Sequence, residues 1–144
     1  VNVSELVGRP VLDLSTATTA GRIDDIVVDA ASRCVAGFRL AKTSGPSTWL
    51  AWDNVAAVGA DAVTIERPDL LTEEPNGSGR GVRSDKVLGG RLLTDEGRDV
   101  GPLADIEIDA ESGAVRSLIV PTGRMAPEAL LGIGSYATIV HDPR

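Results

Sequence analysis

The chain carries one pattern twice, and this constrains its fold more than any other feature of the sequence. Gly21-Arg-Ile-Asp-Asp25-Ile-Val-Val-Asp29-Ala-Ala-Ser32-Arg-Cys-Val35 recurs 80 positions later as Gly101-Pro-Leu-Ala-Asp105-Ile-Glu-Ile-Asp109-Ala-Glu-Ser112-Gly-Ala-Val115. Apolar positions match in kind, Ile23 with Leu103, Val28 with Ile108, Phe38 with Leu118 and Leu40 with Val120. A repeated sequence is a repeated fold. Within 144 residues it selects two small units over 1–67 and 84–144. Each has roughly 60–70 residues, close to the smallest size at which one core suffices, so the two gain by packing together. Between them, 68–83 reads as a flexible linker, rich in Pro, Gly and Ser around Glu73-Glu-Pro-Asn-Gly-Ser-Gly-Arg-Gly81.

Each unit reads as five or six short strands. Asp105-Ile-Glu-Ile-Asp109 alternates charged and apolar residues, the pattern of a half-buried strand. Ile26-Val-Val28 does not alternate, which suggests that both faces are covered there. Asp109-Ala-Glu-Ser-Gly113 reads as a turn capped by the Asp carboxylate and closed by a left-handed glycine. Its counterpart ends in Arg33, at a cost of about 1 kcal/mol relative to glycine, so Arg33→Gly is expected to be neutral or slightly stabilising. Trp52 to Gly59 and Pro127 to Gly134 each read as one helical turn ended by glycine. A last strand follows each, Ala62 to Glu66 and Ala137 to His141. Closing so small a sheet into a barrel protects its edges.

Glycines at Gly8, Gly21 and Gly101, Asp25 and Asp105 at the strand starts, Asp29 and Asp109…Gly113 at the turns, and Trp52…Gly59 with Pro127…Gly134 form a pattern that resembles the PRC-barrel domain. That family includes the cytoplasmic domain of the photosynthetic reaction centre H subunit and the C-terminal domain of the RimM-type ribosome maturation factor. The resemblance implies a mainly β fold of two PRC-type barrels in tandem, each with one short helical turn. It also implies a non-catalytic module that docks on a protein partner.

The residues themselves supply no competing chemistry. The net charge of −7 opposes direct nucleic-acid binding. Lysine occurs only at Lys42 and Lys86, and an arginine-dominated positive charge points to a GC-rich bacterial genome. The single cysteine, Cys34, excludes an internal disulfide and a cysteine zinc site. No apolar run approaches the roughly 18 residues of a membrane span and no signal peptide is evident, so the expected location is the cytoplasm. His141 stands without an evident catalytic partner, Asp95-Glu96…Asp99 lacks calcium-loop spacing, and Gly132-Ile-Gly134 has the wrong surroundings for a dinucleotide loop.

No cofactor, metal site or catalytic residue is therefore expected. Gly21, Asp25, Asp29, Gly101, Asp105, Asp109 and Gly113 are expected to shape turns, the four aspartates by bonding nearby amides. Trp49 and Trp52 are the candidates for an exposed interaction anchor, with core packing beneath the loop of residues 42–48 as the alternative for each. The expected function is an adaptor or scaffold for an unidentified protein, with self-association as a further expectation. The alternative is a ribosome-assembly or RNA-processing accessory that also works through protein contact.

Overall fold

The computed structural model describes residues 1–73, 81–83, 87–133 and 137–141. The first half runs through a one-turn helix α1 (Val3–Leu6), then β1 (Pro10–Asp13), β2 (Thr18–Asp29), β3 (Cys34–Ala41), β4 (Trp49–Ala51), β5 (Ala57–Val58) and β6 (Val63–Ile65). The second contains β7 (Gly81–Arg83), β8 (Arg91–Thr94), β9 (Asp99–Pro102), β10 (Asp105–Ile108), β11 (Val115–Val120), β12 (Gly123–Met125), β13 (Leu130–Ile133) and β14 (Thr138–Val140). The chain is mainly β, as the strand patterns implied.

The strand order of the first half is β4-β3-β2-β1-β6-β5, with β7 also on β2. The second half divides into β10-β11-β12 and β13-β14-β8-β9. Taking β2 as the counterpart of β9 and β10 joined makes the two orders the same. The break has a chemical cause. Arg22 pairs with Ala41 in the first half, and their matched positions are Pro102 and Pro121. Neither proline has an N–H to donate, so the ladder stops there and the long strand divides. Gly101, beside the break, takes φ 101°. Gly21, expected at a turn, instead lies inside β2 at an ordinary φ. It sits beside the register shift between Val11 and Leu12. There a Cβ would come within 3.0 Å of the Thr43 methyl and 3.1 Å of the Ala41 carbonyl oxygen, so the glycine relieves crowding and does not serve turn geometry.

Matched apolar positions are buried in both halves: Ile23 and Leu103, Ile26 and Ile106, Val28 and Ile108, Val35 and Val115, Phe38 and Leu118, Leu40 and Val120. All belong to one continuous core. Burying an aliphatic side chain contributes about 1.5–3 kcal/mol, and sharing one core lets each half use the other's surface.

Two expectations need correction. The helical turns are 3₁₀ turns, Trp52–Asn54 and Pro127–Ala129. The first ends at Val55, which donates back to Trp52, and Gly59 instead closes the β5–β6 turn onto Ala62. Gly134 lies outside the described residues. The stretch 68–83 is also not linker throughout. Pro68–Leu70 forms a 3₁₀ turn and Thr72 exchanges two backbone hydrogen bonds with Trp49, at 2.8 and 2.9 Å. At its other end β7 pairs with β2. Unpaired strand edges at β4 and β2 offer backbone partners that composition does not reveal.

Candidate functional site

The two repeated turns meet each other. Asp29 accepts from the Ala31 amide at 3.0 Å, and Asp109 accepts from Glu111 and Ser112 at 2.8 and 3.2 Å. Arg33 at φ 54° and Gly113 at φ 75° both adopt the expected left-handed conformation. This bend brings Cys34 opposite Ala114 as an antiparallel bridge pair. Val35 donates to the Gly113 carbonyl at 2.9 Å, and Val115 donates to that of Arg33 at 2.8 Å. Both bonds join positions that the repeat matches, so the turns meet through a local two-fold relation.

On one side of that relation the Trp52 ring fills the space beside Gly113. A Cβ on Gly113 would lie 2.7 Å from Trp52 Cε2, a distance that requires something to shift. Trp52 also packs against Phe38, with ring centroids 5.9 Å apart. On the other side Arg33 donates from Nε to the Leu130 carbonyl at 3.1 Å and from Nη2 to that of Glu128 at 3.3 Å. Arg33 therefore has a role that its position as a tolerated turn residue did not suggest. Arg33→Gly exchanges backbone relief for two lost hydrogen bonds of similar size, and its net effect is expected within about 1 kcal/mol of zero.

The leading segments of the halves are also exchanged. Asn2 bridges Glu107 of β10, while Arg83 pairs with Val27 of β2. Asp105 accepts from the Ile106 amide at 2.8 Å, as expected of a residue that shapes a strand start. It also accepts from the Ser4 amide at 3.1 Å and from the Ser4 hydroxyl, and so holds α1 of the other half. Asp25 accepts from the Ile26 amide at 2.7 Å. Ser84, the counterpart of Ser4, lies outside the described residues.

The tryptophans do not form an exposed pair. Trp49 is only 5% exposed, and Trp52 is half-buried against the core. Trp49 lies over Gly37, where a Cβ would meet its Cζ2 at 2.5 Å, and Val27 beside them is also buried. The matched positions in the second half are Arg124, Ser117 and Glu107. Arg124 pairs with Glu107 at 2.8 Å and donates to Ser117 at 3.2 Å. One half thus has an apolar outer face and the other a polar one. Ile26, Val27 and Val28 are all buried, so both faces of β2 are covered there, which accounts for the unbroken apolar run.

His141 has a partner that its isolation in the sequence did not show, with Nδ1 2.9 Å from Asp95 Oδ2. Both side chains are exposed at the end of β14, and no nucleophile accompanies them among these contacts. Cys34 is half-buried with Ser32 Oγ 3.0 Å from its sulfur. Asp95 to Arg98 forms a hairpin turn, with Gly97 donating to Thr94 at φ 84°. Among the described residues no group of three His, Cys, Asp or Glu side chains is placed to hold a metal ion. No helix among them is long and apolar enough to cross a membrane.

Asp109 and Asp13 are held below the ordinary carboxylate value of 3.8. Asp109 is lowered first by the Glu111 amide, then by the Ser112 amide, while desolvation opposes and Arg116 and the N-terminal amine assist. Asp13 is lowered first by the Ser15 hydroxyl against desolvation, with the Ser15 amide and Thr16 assisting. A depressed folded value stabilises the fold above the unfolded value and is lost as pH falls through the folded one. Asp109→Asn is therefore expected to flatten the acid side of a denaturant-midpoint profile below about pH 3.8. An unchanged slope would remove Asp109 from that account.

The PRC-barrel domain family model matches residues 1–71. The match runs from the exchanged leading segment to the residue before the Thr72 bridge. No curated protein matches the chain.

Proposed function

We propose that this chain is a non-enzymatic protein-interaction module, an adaptor or scaffold built from two PRC-type barrels in tandem. The observation that carries the reading is the use made of the repeated acids. Asp25, Asp29, Asp105 and Asp109 all bind backbone amides, and Asp105 also anchors the other half. The motif that repeats is therefore architectural, and a residue set committed to architecture serves a docking scaffold. The family match over 1–71 supports the same reading. Buried Trp49 gives it no support.

The ribosome-assembly or RNA-processing alternative also acts through protein contact, so nuclease treatment does not remove either kind of partner. Capture from the native host with the chain as bait, followed by mass spectrometry, is expected to retain a stoichiometric protein that survives nuclease. Recovery of assembling ribosomal particles would favour the alternative. Retention lost with nuclease would contradict both. Direct RNA affinity separates them further from an RNA-binding role: the acidic chain is expected to show no saturable binding below roughly 10⁻⁵ M at about 0.15 M salt by fluorescence anisotropy. Sub-micromolar binding that weakens steeply with salt would overturn the adaptor reading.

A further inference from the structure

The second half contains a groove beside a strand edge that is free among the described residues, and the counterpart edge in the first half is paired by an extended segment. In the first half, Thr72 bonds the outer edge of β4 through the N–H and C=O of Trp49. Just before it, Leu70 and Leu71 pack against the core. Leu71, Pro68 and Asp69 border a cleft with Asp13, Ala20 and Lys42. The positions matched to those last three are Thr94, Val100 and Thr122. They line a groove of 190 Å³ completed by Arg98, Val120, Gly123, Arg124 and Met125.

The edge beside this groove has the same register as its paired counterpart. Ile119 pairs with Arg124 as Arg39 pairs with Trp49. Equal register turns the backbone N–H and C=O of Arg124 outward, as those of Trp49 are turned toward Thr72. Among the described residues no strand pairs with that outer side of β12, which ends its sheet. Val100, Val120 and Met125 supply the apolar wall.

We propose that this groove binds an extended segment of a partner protein as an added strand, with a leucine pair preceding a residue that exchanges two backbone hydrogen bonds with Arg124. The occupant is defined by the segment that pairs the matched edge and borders the matched cleft, Pro68-Asp-Leu-Leu-Thr72. Backbone bonding supplies affinity and the apolar wall supplies selectivity for the leucines. The inference rests on the protein-interaction reading and narrows it to one surface and one peptide chemistry.

A synthetic peptide with the sequence of residues 66–73, titrated into the isotope-labelled chain, tests it. Saturable amide shifts are expected at Val100, Val120, Arg124 and Met125. Arg124→Ala keeps the outward N–H and is expected to retain binding. Arg124→Pro removes that N–H at an edge where proline is otherwise tolerated, and is expected to weaken binding roughly tenfold or more. Should Arg124→Pro not fold, a peptide N-methylated at its threonine removes the reciprocal donor and is expected to show the same loss.

Absence of shifts at millimolar peptide, shifts centred on Trp49, or insensitivity to both modifications would overturn the proposal. So would concentration-dependent dimerisation in sedimentation that disappears with Arg124→Pro, since the occupant would then be a second copy of this chain. None of these results would decide the adaptor reading, which stands or falls by the capture experiment.

Discussion

Gly113→Val is expected to destabilise the chain by about 2–4 kcal/mol, the sum of a left-handed β-branched residue and an overpacked contact. The backbone contribution follows from φ 75°, and the packing contribution from the Trp52 ring 2.7 Å from the new Cβ. These contributions can be separated. In a Trp52→Ala background the ring is gone, and Gly113→Val is expected to cost only about 1–2 kcal/mol. The two substitutions should therefore couple by about 1 kcal/mol or more, the behaviour of residues in contact. Denaturant midpoints for the four proteins of this cycle check the result. Strict additivity would show that Trp52 does not reach across to the second half.

Trp49→Ala is expected to cost about 3–5 kcal/mol, the range for removing a large aromatic side chain from a core. The ring is 5% exposed and lies over Gly37, and the Trp49 backbone is bridged to Thr72. Arg124→Ala removes the matched side chain but is expected to cost less than about 1 kcal/mol, because its ion pair with Glu107 is exposed. Comparable losses at the two positions, measured by thermal or denaturant unfolding, would mean that the outer faces of the halves are not built as differently as their residues indicate.

The parts of this fold that were legible in the sequence are those fixed by local chemistry. Apolar residues at matched positions identify the core because a face turned inward must be apolar in both copies. The Asp-to-Gly turn identifies its own left-handed position, and the copy that has Arg33 there keeps the same geometry. Helix α1 also has a local signal: Asn2 and Glu5 have capping-box spacing, and the Asn2 amide donates to the Glu5 carboxylate at 3.0 Å.

What could not be read depends on pairing through space. Trp49-Leu-Ala51 is too short a strand to show by alternation which face is inside. Its outer edge is paired by Thr72, in a stretch whose composition is that of a linker. The exchanged leading segments leave no periodic signal, because Asn2 and Arg83 contribute backbone to edges of the opposite half. Arg33 likewise acts through carbonyl groups near Pro127, far from it in sequence. Of the expected sites, the turn aspartates bond nearby amides, while Trp49 and Trp52, for which the sequence leaves both exposure and core packing open, are buried and half-buried.

The central claim is that the two repeated turns meet at Cys34 and Ala114, joining the halves through matched residues. The flanking hydrogen bonds make this a non-hydrogen-bonded antiparallel pair. Such pairs have Cα atoms about 4.5 Å apart, within the range a disulfide can bridge. Ala114→Cys under mild oxidation in dilute solution, followed by thiol counting, a non-reducing gel and a melting curve, tests this directly. The account predicts a monomer with no titratable thiol and a melting temperature that rises on oxidation and falls again with reductant. Two persistently free thiols, or crosslinking only between chains, would contradict it.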